Sequence, residues 1–261
     1  MSRRGVRVDD PSRWVFNRLA ADYRRRPGYP PALVARLLEL GGGAGARVAD
    51  LGAGTGHLAL PLARAGARVH AVEPARAMLD LLASDAAGLA IEPVHAAAEE
   101  TGLPGGAFDL VLVADALHWV DPERGGREIL RLLAPGGALA VVVPSLADTP
   151  FLRALAVLLA RANPKARPNP PPVARLFAAA GLPPPVEERF EDEVGLDEDR
   201  LDAVLRSLSY AGPALGPSAL EALLADARAL ARAHGGAVWR RELRLGSARR
   251  PAAADPPLRP S

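Results

Sequence analysis

Apolar residues along this chain come in two spacings that take turns. Short solid runs (VADL at 48–51, VHAV at 69–72, LVLVA at 110–114, ALAVVV at 138–143) alternate with stretches in which apolar residues recur every third or fourth position. A solid run between turn residues suits a strand covered on both faces, and the wider spacing suits a helix packed along one stripe. The pattern predicts strands at Arg47 to Ala53, Arg68 to Glu73, Ile91 to His95, Phe108 to Ala114 and Ala138 to Val143. It predicts helices from Pro30 and Pro31 to Leu40, Gly56 to Arg64, Ala75 to Ala86 and Pro122 to Leu133, with a turn at Pro135-Gly136-Gly137. Strands and helices alternating at this pace imply an α/β fold, a doubly wound sheet with right-handed parallel crossovers.

The second half is less regular. Helical spacing covers Phe151 to Ala162, Val173 to Ala180, Asp199 to Ser207 and Pro217 to His234, and strand-like runs cover Val186 to Val194 and Val238 to Leu245. Proline cannot sit in a helix interior or a central strand, so Pro164 to Pro172 reads as a loop over one face. After Arg250 the sequence PAAADPPLRPS reads as a disordered tail, residues 251–261. The expected organisation is one domain over residues 1–250. A core at about 31–145 would hold the ligand, and residues 10–30 and 146–245 would cover an acceptor and complete the sheet.

Composition narrows the function classes. With 49% hydrophobic and 24% charged residues the chain is ordinary for a globular protein, and a formal net charge of +2 gives little reason to expect nucleic-acid binding. The absence of cysteine excludes disulfides, thiolate metal sites and cysteine nucleophiles. No apolar run is long enough to cross a bilayer, and none follows Arg3, Arg4 and Arg7, so the expectation is a cytoplasmic protein without membrane partners.

The chemistry gathers at VADLGAGTGH. Gly52, Gly54 and Gly56 stand between a strand and a helix, where glycines allow a tight turn and close approach of a ligand to the backbone. A dinucleotide-binding turn of the GxGxxG type would want glycine at position 57, where His57 stands, and would use a helix N-terminus to hold pyrophosphate. Asp50 puts a carboxylate at the end of the first strand, suited to a cationic amino group. Glu73 ends the second strand, suited to accepting both hydroxyls of a ribose. Each acid has a plainer reading: Asp50 as a turn or cap, and Glu73 as an acid that starts a helix.

With these residues in place, the chain resembles the class I S-adenosylmethionine (SAM) dependent methyltransferases, in particular the small-molecule group with a type 11 or 25 domain. The resemblance extends to FNRLAADYRRRPGYP from Phe16, AAAEETGLPGGAFDLVLVADALHWVDPE from Ala96, LLAPGGALAVV, and SLSYAGPALGPSALEALLADARALARAHG from Ser207, and so covers about Phe16 to Leu245. It implies a Rossmann-like, mostly parallel seven-stranded sheet whose last strand inserts antiparallel between the fifth and sixth. It further implies that Asp50, Gly52, Gly54 and Gly56 line the methionine part of SAM and that Glu73 meets the ribose. Met78 would face the adenine, Ala98 and Glu99 its edge, and Ala114 the methionine end, while Tyr23 and Arg26 close over the cofactor. Many members carry a polar residue where Ala97 stands, so the adenine contacts would be mostly backbone.

Methyl transfer from a sulfonium needs alignment, exclusion of water and sometimes removal of a proton, so no elaborate triad is expected. His118 is the candidate catalytic base, or else a structural histidine bonded to its loop. Trp119 is a candidate substrate-binding wall, or else core packing. Tyr210 reads as a surface turn that could reach the pocket mouth. Arg24, Arg25 and Arg26 read either as a solvated helix end or as a preference for anions. The expected function is transfer of a methyl group to an oxygen, nitrogen or carbon of a small molecule. The alternatives are a SAM-binding protein without turnover and a nicotinamide-dependent oxidoreductase, the latter disfavoured by His57.

Overall fold

A computed structural model describes residues 14–166 and 170–252. Residues 10–13 of the expected acceptor-covering segment and 253–261 of the expected tail lie outside the described residues.

Seven strands form one sheet in the order β3-β2-β1-β4-β5-β7-β6. They are β1 (Arg47–Leu51), β2 (Arg68–Val72), β3 (Ile91–Val94), β4 (Phe108–Ala114), β5 (Leu133–Leu146), β6 (Val186–Leu196) and β7 (Ala237–Arg249). The first five pair in parallel, and β7 runs antiparallel between β5 and β6. This is the sheet that the resemblance implies.

Because side chains alternate along a strand, the central strands feed two cores. Val48, Leu110, Leu112, Ala140 and Val142 point to one face, where they meet α2 (Pro31–Leu40), α3 (Ala59–Arg64) and α4 (Arg76–Asp85). Ala49, Val111, Val113, Leu139 and Val141 point to the other, against α5 (Pro122–Leu132) and α7 (Val173–Ala179). A third cluster joins α6 (Pro150–Ala162), α8 (Glu198–Arg206) and α9 (Pro217–Ala233) to Trp239 of β7. Helix α1 (Trp14–Tyr23) lies on α4, where Ala20 and Met78 are buried together.

The sequence-predicted elements are all present, and they differ from the expected bounds mainly where tertiary partners act. β5 begins five residues before the expected strand and runs through the Pro135-Gly136-Gly137 turn. Its register against β4 shifts between Phe108 and Leu110, with Gly136 at φ 79° and a Cβ on Gly137 calculated to fall 2.8 Å from the Phe108 carbonyl. A glycine bulge therefore replaces a separate turn. β7 continues to Arg249, beyond the expected Leu245, because a strand on each side pairs with it: Ala138 to Leu146 of β5 and Val186 to Leu196 of β6. The glycine helix start expected at Gly56 moves to Ala59, and the turn keeps its irregular backbone. No helix among the described residues is long and apolar enough to cross a membrane.

Candidate functional site

The carboxyl ends of the parallel strands are where a doubly wound sheet presents ligands. Two adjoining cavities lie there, of about 320 and 560 Å³. Both are walled by Tyr23, Arg26, Gly52, Asp115, Pro144, Leu208 and Tyr210. The smaller reaches Asp50, His57, Tyr29, Ala114, Trp239 and Arg241, and the larger reaches Glu73, Met78, Ala98, Glu99, His118 and Trp119.

The glycine turn builds the shared floor. Gly52 and Gly54 take φ values of 77° and 56°, a left-handed backbone that side chains resist, and the amides of Gly52 and Ala53 both donate to the Val72 carbonyl. A Cβ on Gly52 would stand 2.6 Å from the Ala116 Cβ. On Gly54 it would press on the Tyr23 ring at 3.4 Å and on the Met78 sulfur at 3.8 Å. Gly56, expected in the ligand cradle, does not itself line either cavity. A Cβ there would meet Leu60 and Leu82 at 3.0–3.1 Å, so this glycine serves packing behind the turn.

Four acids surround this space, and their hydrogen bonding differs. Both Glu73 oxygens hold backbone: Oε2 accepts from Gly54 N–H at 2.9 Å and Oε1 from Ala75 N–H at 2.8 Å. Glu99 accepts from Asp121 N–H at 3.0 Å, which fixes the loop after β4. Asp50 is only 2% exposed, and its Oδ2 has no hydrogen-bond partner. Burial, with the negative charge of Glu73 nearby, raises its pKa to about 7. Asp115 follows β4 directly and is the only non-glycine residue in the left-handed region among those described, at φ 49°. Burial raises its carboxyl pKa against the lowering fields of Arg26, His118 and Arg241.

The loop after α1 closes one side. Arg26 Nε donates to Ser207 Oγ at 2.7 Å and Nη2 to the Ser207 carbonyl at 2.8 Å, while its guanidinium lies 4.2 Å from the Tyr23 ring centroid. Its Nη1 stands 3.6 Å from Asp115 Oδ2. Arg241 of β7 holds the same loop from beneath, donating to the carbonyls of Pro27 and Gly28 and pairing with Asp192. Trp119 packs edge-on against Phe16 with centroids 5.1 Å apart. His118 lies at the rim, and partial desolvation of its ring, with the field of Arg26, outweighs the raising field of Asp115, so its pKa is lowered and the neutral imidazole is favoured.

Of the residues expected from the sequence, Tyr23, Arg26, Asp50, Gly52, Gly54, Glu73, Met78, Ala98, Glu99, Ala114, His118 and Trp119 all line one or both cavities. Among the further wall residues that had no expected role are His57, Tyr29, Asp115 and Arg241. Asp115 carried a signal, an acid directly after a strand end, as at Asp50. Tyr29 lay inside the RPGYP segment, and Arg241 had no local signal because a fold-level pairing brings it in. Tyr210, read as a surface turn, lines both cavities while staying 42% exposed.

Part of the chain is similar to known methyltransferases. Residues 49–141, from β1 to β5 and including the glycine turn, match the family model described as a methyltransferase domain. The match covers about a third of the chain, 93 of its 261 residues. An uncharacterized methyltransferase of Mycobacterium tuberculosis is 46% identical to the chain over 119 residues, which are 46% of this chain and 47% of the relative. A demethylmenaquinone methyltransferase of Clavibacter sepedonicus is 37% identical over 112 residues, 42% of this chain and 46% of the relative. The aligned part thus spans about half the length of these curated relatives. A solved structure of a candidate type II methyltransferase from Anaeromyxobacter dehalogenans is 26% identical with a TM-score of 0.60, covering 87% of this chain and 99% of that one. The matched residues include the glycine turn, Glu73 and Asp115, while α6 to β7 lie beyond them.

Proposed function

We propose that this chain is a SAM-dependent methyltransferase that transfers a methyl group to an oxygen, nitrogen or carbon nucleophile of a small molecule. The observation that carries it is the unpartnered Oδ2 of Asp50, buried at the floor of a glycine cradle inside the residues that match a methyltransferase domain. A buried carboxylate oxygen without a partner is costly, by about 1–3 kcal/mol or more, and a ligand ammonium group would satisfy it. SAM supplies that ammonium and, when bound, an activated methyl group. A phosphate-bearing dinucleotide would instead bring negative charge towards Asp50 and Glu73.

In this reading Asp50 holds the amino group, and Gly52, Gly54 and Ala114 line the methionine chain. Glu73, oriented by its two backbone bonds, accepts the ribose hydroxyls. Met78 covers the adenine, with Ala98 and Glu99 at its edge. Tyr23 and Arg26 roof the junction of the cavities. Trp119, braced by Phe16, walls the acceptor side, and residues 146–245 cover it. The neutral imidazole of His118 at the rim can receive a proton. The name of the similar demethylmenaquinone methyltransferase makes a hydroxylated or ring-bearing small molecule the first acceptor class to screen.

The same cradle would serve a protein that binds SAM without transferring its methyl group, so binding and turnover are separate measurements. Calorimetry of the full chain with SAM, S-adenosylhomocysteine and NADH should show binding of the first two only. Binding of NADH without a SAM signal would overturn the proposal. Transfer of labelled methyl to any member of a metabolite panel separates the enzyme from the binding protein.

A further inference from the structure

Asp115 is the one acid at the cavities that the described residues leave without a hydrogen bond to either carboxylate oxygen. Glu73 and Glu99 are engaged by backbone amides, and Asp50 sits at the closed floor beneath the glycine turn. Asp115 stands at the boundary of the two cavities, with its side chain 32% exposed. Its nearest charged neighbour, Arg26 Nη1, is 3.6 Å away, too far for a hydrogen bond, because that guanidinium is drawn to Ser207. Its backbone stands at φ 49°, with its N–H donating a hydrogen bond to the Val142 carbonyl at 3.0 Å. Strain of this kind costs about 1–3 kcal/mol and persists where the surrounding structure fixes it, often at functional sites.

We infer that Asp115 is a catalytic residue that accepts a hydrogen bond from the methyl acceptor, and that the acceptor is a flat molecule carrying a neutral hydroxyl group. The inference rests on the methyltransferase reading. A protonated amine beside Asp115 would also face the guanidiniums of Arg26 and Arg241 in the same walls. A carboxylate would face Asp115 and Asp50 together. A hydroxyl meets neither repulsion, and the nearby guanidiniums favour the oxygen as its negative charge develops. An aromatic body suits the walls, where Phe16 and Trp119, packed edge-on, and Leu117, Leu208 and Tyr210 offer aromatic and apolar surface.

In the step itself the acceptor oxygen bonds to the methyl carbon as the carbon–sulfur bond breaks. The electron pair of that bond stays on sulfur, which becomes a neutral thioether. The hydroxyl proton passes to the Asp115 carboxylate and leaves by way of His118 at the exposed rim. The groups facing Asp115 are Arg26, His118 and Arg241, with the phenols of Tyr23, Tyr29 and Tyr210 in its field.

The test uses the full chain, SAM with a labelled methyl group, and naphthol, naphthoic acid and naphthylmethylamine as acceptors sharing one flat body. Naphthol should take the label. Asp115→Asn, which tolerates the left-handed backbone, should lower that transfer at least about 100-fold while calorimetric affinity for S-adenosylhomocysteine stays within about twofold. Asp115→Gly, free of strain, should behave alike. Label on the acid or the amine in preference to naphthol, label on none of the three, or unchanged transfer by Asp115→Asn would each overturn the inference. So would loss of S-adenosylhomocysteine binding in both variants, which would make Asp115 a cofactor ligand. Failure of the native chain to bind S-adenosylhomocysteine would instead remove the methyltransferase reading on which the inference stands.

Discussion

Asp50 and Glu73 share a cavity system but act through different physics. Asp50 is half-protonated near pH 7 because burial and Glu73 both oppose its charge. A cationic ligand binds only the ionised form well, so SAM affinity should rise as pH increases through about 7. Calorimetry of Asp50→Asn across this range should show a flat profile and an affinity weaker by about 1–3 kcal/mol. Glu73 is tied to the fold itself. Removing its carboxylate leaves the buried amides of Gly54 and Ala75 without their acceptor, so Glu73→Ala should lower both the melting temperature and SAM affinity. Glu73→Gln, which keeps one acceptor oxygen, should fall between the two. The acids were visible in the sequence as strand-ending residues, whereas their difference in hydrogen bonding was not, since it depends on which amides the turn directs inward.

Among the elements, the packing of α5 on α7 and the loop after α1 are each open to a direct test. Gly126 lies inside α5, where alanine would ordinarily gain about 1 kcal/mol in helix propensity. A Cβ there would fall 2.6 Å from the Ala179 Cβ at the end of α7 and 2.8–2.9 Å from the backbone of Ala179 and Ala180. Overpacking of this sort costs about 1–3 kcal/mol, so Gly126→Ala should destabilise the chain in denaturant titrations despite its better propensity. The loop after α1 is pinned by Ser207, which is fully buried and donates its hydroxyl to the Val204 carbonyl while accepting from Arg26. Ser207→Ala should speed amide hydrogen exchange across residues 24–29 and leave exchange in β1 and β4 unchanged.

For the whole molecule, two buried groups set opposite responses to acid. Asp50 keeps its proton up to about pH 7 in the folded chain, against an ordinary value of 3.8. The native state then binds more protons, and the stability from this group, complete below 3.8, is lost as pH rises to about 7. His57 is driven from 6.5 down to about 4 by burial and by Arg26, so the unfolded state binds more protons there. Its contribution is present above 6.5 and is lost as pH falls towards 4. The two slopes oppose each other between about pH 4 and 6.5. Replacing His57 with Asn removes one of them, and the variant should decline in stability across this window relative to the native profile, as read by denaturant midpoints.

The sequence by itself determined the alternation of strands and helices, the glycine turn, the strand-ending acids and the resemblance to a methyltransferase. These are local: a solid apolar run, a turn that needs glycine and a carboxylate at a strand end all lie within a few residues. The tertiary structure alone decided the length of β7, which needs β5 and β6 on either side, and the placement of Arg241 beneath a loop more than two hundred residues earlier in the chain. It also set Gly56 against Leu60 and Leu82, and gave Asp115 its strained position between two cavities. Spacing along the chain predicts what one element needs, whereas contacts between elements fix which polar atoms are satisfied and which remain for a ligand.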